Sequence, residues 1–380
     1  MKKNFLIKQY ISDKKMKIRH NYLSEQFKNS NKIFNYIKNT VEFNDFTLGR
    51  YVELFEKEFC KYQKSKYAIG VGSGTDAIFL SLKALGIGKG DEVITPTYSF
   101  YATAGAIATS GAKPVFVDIK DDLNIDEDKI EKRITKKTKA IVPVHFTGYM
   151  TNMPKLKKIS KKYNIPIVED ACQSILASIN NKNSGTWSDF GAFSLHPLKN
   201  INVWSDGGII VTSNKKYYEH LKLLRNHGLS DRDNVKICGY NSRLDTLQAV
   251  VGNWLIPSAK KIANQRIKNA NFYDKQLSKI KGIKIPPRLK NYKIVYHLYI
   301  VFAERRDELL NFCKKKGIEA KIHYPIPMYR QEAMKFLKHK KGDFPVSDEH
   351  ANSIISFPCD QHLSAKEMSY IVDCVKKFYS

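Results

Sequence analysis

An amine and a carboxylate delivered to strand ends are the residues here most able to do chemistry. Lys199 sits in the run Gly191-Ala-Phe-Ser-Leu-His-Pro-Leu-Lys199-Asn200, and Asp170 lies in Ile165-Pro-Ile-Val-Glu-Asp170-Ala-Cys-Gln173. The β-prone residues before Asp170 read as a buried parallel strand that ends in a carboxylate. A second apolar run, Phe190 to Leu195, leads to the lysine. Ligands of open α/β sheets collect at the carboxyl ends of strands. A lysine and an aspartate there suit pyridoxal 5'-phosphate (PLP). The amine can form an imine with the aldehyde, and the carboxylate can keep the pyridine nitrogen protonated so that the ring withdraws electrons. Asp170 alone could be a helix cap, a common use of strand-end carboxylates. Lys199 differs from a surface lysine in its apolar strand, its proline and its Gly-rich exit, Asp206-Gly207-Gly208.

A phosphate cradle lies upstream. Tyr67-Ala-Ile-Gly-Val71 reads as a strand, Gly72-Ser73-Gly74-Thr75-Asp76 as a turn, and Ala77 to Leu85 as a helix ended by Gly86 and Gly88. Small residues at such a turn let backbone N–H groups approach an anion, aided by the helix dipole. No Gly-Lys-Ser/Thr follows, so this is not a Walker loop. The glycine spacing departs from the dinucleotide fingerprint, and no ribose-binding acid is suitably placed. A lone phosphate, as on PLP, fits better than ATP or NAD.

At 380 residues the chain can bury a large core and is expected to form two domains. Its 42% hydrophobic content argues against disorder. No apolar run approaches the ~20 residues of a membrane span, and the start, Met1 to Lys8, lacks a full signal-peptide core. The six cysteines show neither Cys-x-x-Cys spacing nor a zinc pattern, so no metal is expected. They read as thiols of a cytoplasmic protein. The net charge of +27 invites a nucleic-acid reading. Against it, the lysines are spread along the chain and no nucleic-acid-binding motif appears.

The elements that must position Lys199 and Asp170 alternate from Tyr67 to Ser213. Strands are expected at Tyr67–Val71, Glu92–Thr95, Pro114–Ile119, Ala140–Phe146, Pro166–Glu169, Gly191–Leu195 and Ile209–Thr212. Helices are expected near 76–85, 99–109, 153–163 and 215–225, with another from Leu48 to Gln63. This pattern predicts an α/β layer on a mainly parallel sheet. Residues 1–46 read as a basic N-terminal arm with one helix around 24–38. The large α/β domain spans 47–243, and a smaller C-terminal α/β domain spans 244–380. The latter opens with a long helical stretch from Leu244 to about Ile280. Ile294–Phe302 and Glu319–His323 read as strands and Arg306–Lys316 as a helix. A final helix starts from the capping box Ser364-Ala-Lys-Glu367.

Over roughly residues 40 to 340 the chain resembles the DegT-type nucleotide-sugar aminotransferases, which are fold-type I PLP enzymes. The motifs are Gly74-Thr75-Asp76-Ala77, Pro143-Val-His145, Glu169-Asp170-Ala171, His196-Pro-Leu-Lys-Asn200, Asp206-Gly-Gly208, Arg225-Asn-His-Gly228, Gly239-Tyr-Asn-Ser-Arg-Leu-Asp245 and Ile322-His-Tyr-Pro325. The resemblance implies a large domain with a seven-stranded, mainly parallel sheet and a smaller C-terminal α/β domain. It implies that Lys199 binds the cofactor and moves the proton, that Asp170 pairs with the pyridine nitrogen, and that Gln173 holds the phenolic oxygen. Gly74, Thr75 and Ser194 would hold the phosphate, and Phe100 would stack on the ring. Asn241 would reach the phosphate in a neighbouring subunit, which makes the protein a homodimer. Tyr98, His196, His323 and Tyr324 would face substrate.

The reaction implied is transfer of an amino group, from glutamate in most relatives, through pyridoxamine phosphate to a keto group of a nucleotide-linked deoxysugar. Gly-Thr-Asp-Ala and Asp-Gly-Gly favour a 3-keto sugar; the alternative is a 4-keto sugar. A non-catalytic regulatory protein on the same fold is the competing class. Lys199 argues against the branch that carries histidine there. Read without the resemblance, Tyr98 and Phe100 could be core aromatics, and Asn241 could cap the helix near Asp245. Trp204 and Met328-Tyr329 depart from the family pattern and are candidates to line the sugar pocket.

Overall fold

The computed structural model describes residues 16–380. The first fifteen residues of the basic arm, with the Met1–Lys8 start, lie outside the described residues. The arm then carries α1 (Leu23–Gln26) and α2 (Asn31–Glu42) in place of one helix over 24–38. The break falls at Lys28-Asn29-Ser30, and Asn and Ser favour turns over helix interiors. Next, α3 (Arg50–Gln63) buries Val52, Phe55 and Phe59 on one face, the spacing that makes a helix amphipathic.

The strands that follow alternate with helices. They are β1 (Tyr67–Val71), α4 (Gly74–Ala84), β2 (Glu92–Pro96), α5 (Ala102–Thr109), β3 (Lys113–Val117), β4 (Thr138–Ile141), α6 (Met153–Tyr163) and β5 (Val168–Asp170). A small hairpin, β6 (Ser178–Ile179) and β7 (Lys182–Asn183), precedes β8 (Phe190–Ser194), β9 (Gly208–Thr212) and α7 (Lys215–Leu224). One ladder runs β1-β9-β8-β5 and another β3-β2-β4. Parallel bridges Ile141↔Ile167 and Val144↔Asp170 connect them. Pairing is parallel within β3-β2-β4 and between β5 and β8, while β9 runs antiparallel to both neighbours. The expected strand over Ala140–Phe146 is shorter: β4 stops at Ile141, and the chain continues through single bridges to the edge of β5.

Proline splits the helical stretch expected from Leu244 to Ile280. α8 (Thr246–Leu255) and α9 (Ala259–Leu277) flank a 3-10 turn at Ile256–Ser258 that contains Pro257, because proline removes a helix donor. Leu244, Ala249, Val250 and Ala263 join the same apolar cluster as Phe55, Phe59 and Phe193. A second cluster gathers Tyr273, Leu277, Val301, Leu309, Phe357 and Ile371, and takes in Ile18 and Tyr22 from the arm. It is built on β10 (Ile283–Lys284), β12 (Tyr299–Ala303) and β13 (Ile354–Phe357), with β12 central. Between these strands lie β11 (Tyr292–Lys293), which pairs with β6, α10 (Arg306–Lys315) and α11 (Pro345–Ser353). The terminal α12 (Ala365–Tyr379) starts at the expected capping box of Ser364 and Glu367. Two further expectations need correction. The strand over Ile294–Phe302 begins only at Tyr299, because Val295 and Leu298 bond instead to the Gly148 and Thr147 carbonyls. Glu319–His323 forms a single bridge, Lys321↔Ser356, and no ladder.

Candidate active site

The carboxyl ends of β5 and β8 lie side by side, with Asp170 in register with Ala192. Ser194 closes β8 opposite Gly208. Lys199 rides on the loop between β8 and β9, which bonds to itself: Val203 N–H donates to Leu195 O and Lys199 N–H to His196 O, both at 2.8 Å. Cys172, Gln173, Ser194, Lys199 and Asn200 line one cavity. Burial holds the Lys199 ammonium below its ordinary value, against the opposing pull of Cys172 and Asp170. An amine pushed toward its neutral form is a better nucleophile and base.

Asp170 is buried and held at both oxygens. Oδ2 accepts from Thr103 Oγ1 at 2.7 Å, and Oδ1 accepts from the Cys172 N–H at 3.2 Å. Behind it, buried Glu169 pins the strand end. It accepts from the Gly185 and Trp187 N–H groups, from Ser188 Oγ, and from His145 Nε2 at 2.8 Å. His145 Nδ1 accepts from the Thr151 N–H, which puts the imidazole proton on Nε2. The quoted motifs around His145 and Glu169 are thus the frame of Asp170.

Gln173 Oε1 accepts from the Thr147 N–H at 2.8 Å. That fixes the amide so that its NH2 end is the one left for a ligand. At α4, Ser73 Oγ accepts from the Asp76 N–H at 3.0 Å, while the N–H groups of Gly74 and Thr75 belong to the open first turn. A Cβ on Gly74 would stand 2.6 Å from Ser194 Cβ, and one on Gly208 would stand 2.2 Å from Ser73 O. Both glycines therefore exist to bring the helix start against the strands that carry Ser194 and Lys199.

The aromatic positions divide. Phe100 is 52% exposed, unusual for a phenylalanine, and its ring centroid lies 5.8 Å from that of Tyr324. Tyr98 is buried at 1% exposure; its hydroxyl donates to Tyr324 O and accepts from Tyr324 N–H. It props the Tyr324 segment and presents no free hydroxyl to a substrate. Tyr324 is partly buried, and burial together with the Asp170 charge raises its hydroxyl pKa. His323 Nδ1 lies 2.9 Å from Ser356 Oγ, and burial lowers its pKa, helped by His20, Lys321 and Lys199. His196 accepts from the Leu198 N–H, and burial and Lys199 lower its pKa too. Asn241 is exposed, and Asp245 caps α8 itself through the Leu247 N–H, so the capping role considered for Asn241 is taken.

Met328 and Tyr329 are buried with Phe116 and Phe344, and Tyr329 donates to Asp348. Trp204 packs on Phe27 and Phe34 of the arm. Two residues were missed in the sequence. Thr103 lies in the apolar run Ala102-Thr-Ala-Gly-Ala106, which reads as core helix. His297, whose pKa is lowered by burial and by Lys199, lies in a segment that reads as strand.

This donor set fits PLP: first-turn N–H groups for a phosphate, an amide NH2 for a phenolate, a carboxylate for a ring nitrogen, an exposed aromatic for its face, and a lysine for its aldehyde. Among the described residues no helix is long and apolar enough to cross a membrane.

Comparison with known proteins agrees. The DegT/DnrJ/EryC1/StrS aminotransferase family profile matches residues 28–376. A protein of Geobacillus stearothermophilus named pleiotropic regulatory protein is 37% identical, over 94% of this chain and 97% of its own. The dTDP-3-amino-3,4,6-trideoxy-alpha-D-glucose transaminase of Streptomyces venezuelae is 35% identical, over 88% of each chain. The solved structure of S. venezuelae DesV in complex with a ketimine intermediate superposes with a TM-score of 0.92 at 33% identity. It covers 94% of this chain and 97% of that one. Structural neighbours hold the cofactor in its PLP and pyridoxamine forms. The chain belongs to the DegT/DnrJ/EryC1/StrS aminotransferase family, and is a PLP-dependent nucleotide-sugar aminotransferase of fold type I.

Proposed function

We propose that the enzyme aminates the 3-keto carbon of a nucleotide-linked deoxysugar, with glutamate as amino donor. The observation that carries the catalytic assignment is the partly buried Lys199, lowered in pKa, in one cavity with Gln173 and Ser194. When bound, PLP supplies an electron sink next to the reacting carbon. The protein's part is then positional. Lys199 Nζ, kept toward its neutral form, would hold the cofactor's aldehyde end and would move the proton at the substrate carbon. Asp170, fixed by Thr103 and the Cys172 N–H, keeps a proton on the ring nitrogen. Gln173 Nε2 donates to the phenolic oxygen. Gly74, Thr75 and Ser194 hold the phosphate, and Phe100 covers one face of the ring. His196, His323 and Tyr324 would face the sugar.

The 3-position is supported by the Gly-Thr-Asp-Ala and Asp-Gly-Gly motifs and by the relative named for a 3-amino sugar. Incubation with 3-keto and 4-keto dTDP-sugars, read by mass spectrometry, tests it. The amine is expected from the 3-keto substrate with glutamate. Product from the 4-keto substrate alone would overturn the position. A regulatory role is the second reading, favoured by the name of the Geobacillus relative; turnover of any keto sugar argues against it as the whole function.

The same reading makes the enzyme a homodimer of the cytoplasm, with the exposed Asn241 reaching the partner's phosphate site. Residues 47–243 and 244–380 would be its two domains, with α8 lying back on α3 of the first.

A further inference from the structure

The loop that carries Lys199 is held from outside the site by a chain of side-chain amides. Buried Asn202 is 1% exposed, and its Nδ2 donates to Pro197 O at 2.6 Å and to Lys199 O at 2.9 Å. Its Oδ1 accepts from Gln26 Nε2 at 2.8 Å. Gln26 Oε1 in turn accepts from Gln361 Nε2 at 2.5 Å, and Gln361 Oε1 accepts from Arg266 Nε at 2.9 Å. Arg266 is buried against Asp360 at 3.1 Å and donates to the Tyr296 and His297 carbonyls. Every amide therefore donates in one direction. The series begins on a permanently charged guanidinium and ends on the backbone of the lysine.

We infer that Arg266, Gln361, Gln26 and Asn202 form a positioning relay that sets the Lys199 loop. The arm residue Gln26 is its removable link. Three physical points carry the proposal. Hydrogen bonds in series polarise one another, and each donor here points the same way along the series. Asn202 has both hydrogens and its carbonyl engaged, so its rotamer cannot change without losing several bonds. Gln26 itself lies in a short, partly exposed helix, where a link can be broken without opening the core. Trp204, two residues beyond Asn202, adds an apolar contact to Phe27 beside Gln26. The relay acts through Lys199, so it rests on the reading that Lys199 binds the cofactor.

The test follows the visible band of lysine-bound cofactor after PLP is mixed with cofactor-free protein, well below the melting temperature of each variant. Gln26→Met keeps the size of the side chain and removes its polar ends. It is expected to slow the appearance of the band about fivefold, the effect of one ordinary hydrogen bond. Gln26→Glu can accept from Gln361 but cannot donate to Asn202, so it is expected to be at least as slow. If the link acts as part of a series, Gln361→Met should add little in the Gln26→Met background. Rates within twofold of wild type in both Gln26 variants would overturn the relay. So would full additivity of the two methionine changes. No band in the wild type itself, or a band that survives in Lys199→Ala, would instead remove the assignment of Lys199, and the relay with it.

Discussion

Thr103 Oγ1 donates to Asp170 Oδ2 at 2.7 Å, so a hydroxyl from α5 steers the carboxylate at the end of β5. Hydrogen bonds to a charged group are worth about 1.5–3 kcal/mol. Thr103→Val keeps the shape and removes the donor. It is expected to lower kcat about ten- to a hundredfold with the fold intact. Asp170→Asn removes the charge itself and should cost orders of magnitude more. Steady-state kinetics of the two variants side by side give the ranking, and wild-type kcat in Thr103→Val would separate Thr103 from Asp170 function.

Lys199→Ala is expected to abolish the lysine-bound band and turnover while leaving the phosphate and ring contacts in place. In the wild type, the rate of cofactor attachment should rise with pH, because the neutral amine is the reacting form. Since burial lowers the pKa, the rise should level off at a lower pH than for a solvent-exposed lysine. A plateau no lower than that of a free lysine side chain would contradict the burial argument.

At the helix start, Gly74→Ala forces a methyl to within 2.6 Å of Ser194 Cβ. Overpacking of this kind costs about 1–3 kcal/mol, and here the strain falls on the phosphate turn. PLP affinity should weaken about tenfold or more. Equilibrium dialysis with PLP measures it, and unchanged retention would mean that the turn does not hold the phosphate.

His20 is buried, and its pKa is lowered to about 3 from 6.5, first by burial and then by the Lys321 charge. Its Nδ1 faces Glu319 O; Arg266, His323 and His297 also surround it. Above pH 6.5 the group is neutral whether the chain is folded or not, and folding stability is unaffected. Between pH 6.5 and about 3 only the unfolded chain takes up the proton, so stability falls as pH falls. The slope is at most about 1.4 kcal/mol per pH unit for this site. Urea unfolding of His20→Gln should therefore show a shallower loss between pH 6 and pH 4 than wild type, by up to about 2.5 kcal/mol over those two pH units.

Asn241→Ala tests the shared site. The residue is exposed and does not cap α8. Sedimentation should show a dimer for the wild type, and the variant should retain PLP less well while still attaching it to lysine. A fully active monomer would place the whole site in one chain.

Much of this site could be read along the sequence because its parts are local. Lys199 follows a strand by a few residues, Asp170 ends one, and Gly74 starts a helix after one. Such strand-to-loop edges leave a pattern in composition. Thr103 left none, since it acts across the fold on Asp170, 67 positions away in sequence. Tyr98 and Phe100 stand two apart in one motif, yet one is core and the other exposed. Sequence type alone does not separate a tyrosine that props a backbone from an aromatic that faces open space. Glu319–His323 alternates as a strand should, but it makes only one bridge to Ser356, and a period of two cannot supply a missing neighbour.

The two ends of the described chain meet. Ile18 bridges Ile318, Tyr22 donates to Glu367 at 2.7 Å, and Gln26 bonds Gln361. On a ribosome the arm emerges first, but its seat is made last. At roughly ten residues per second, about half a minute separates Tyr22 from Glu367. Through that interval β1 to β9 can be synthesised while Gln26, already made, still lacks Gln361. The late-made Gln361 then completes the series from Arg266 to the lysine loop, and a chain truncated before it would keep the loop's own bonds but lose the link to the arm.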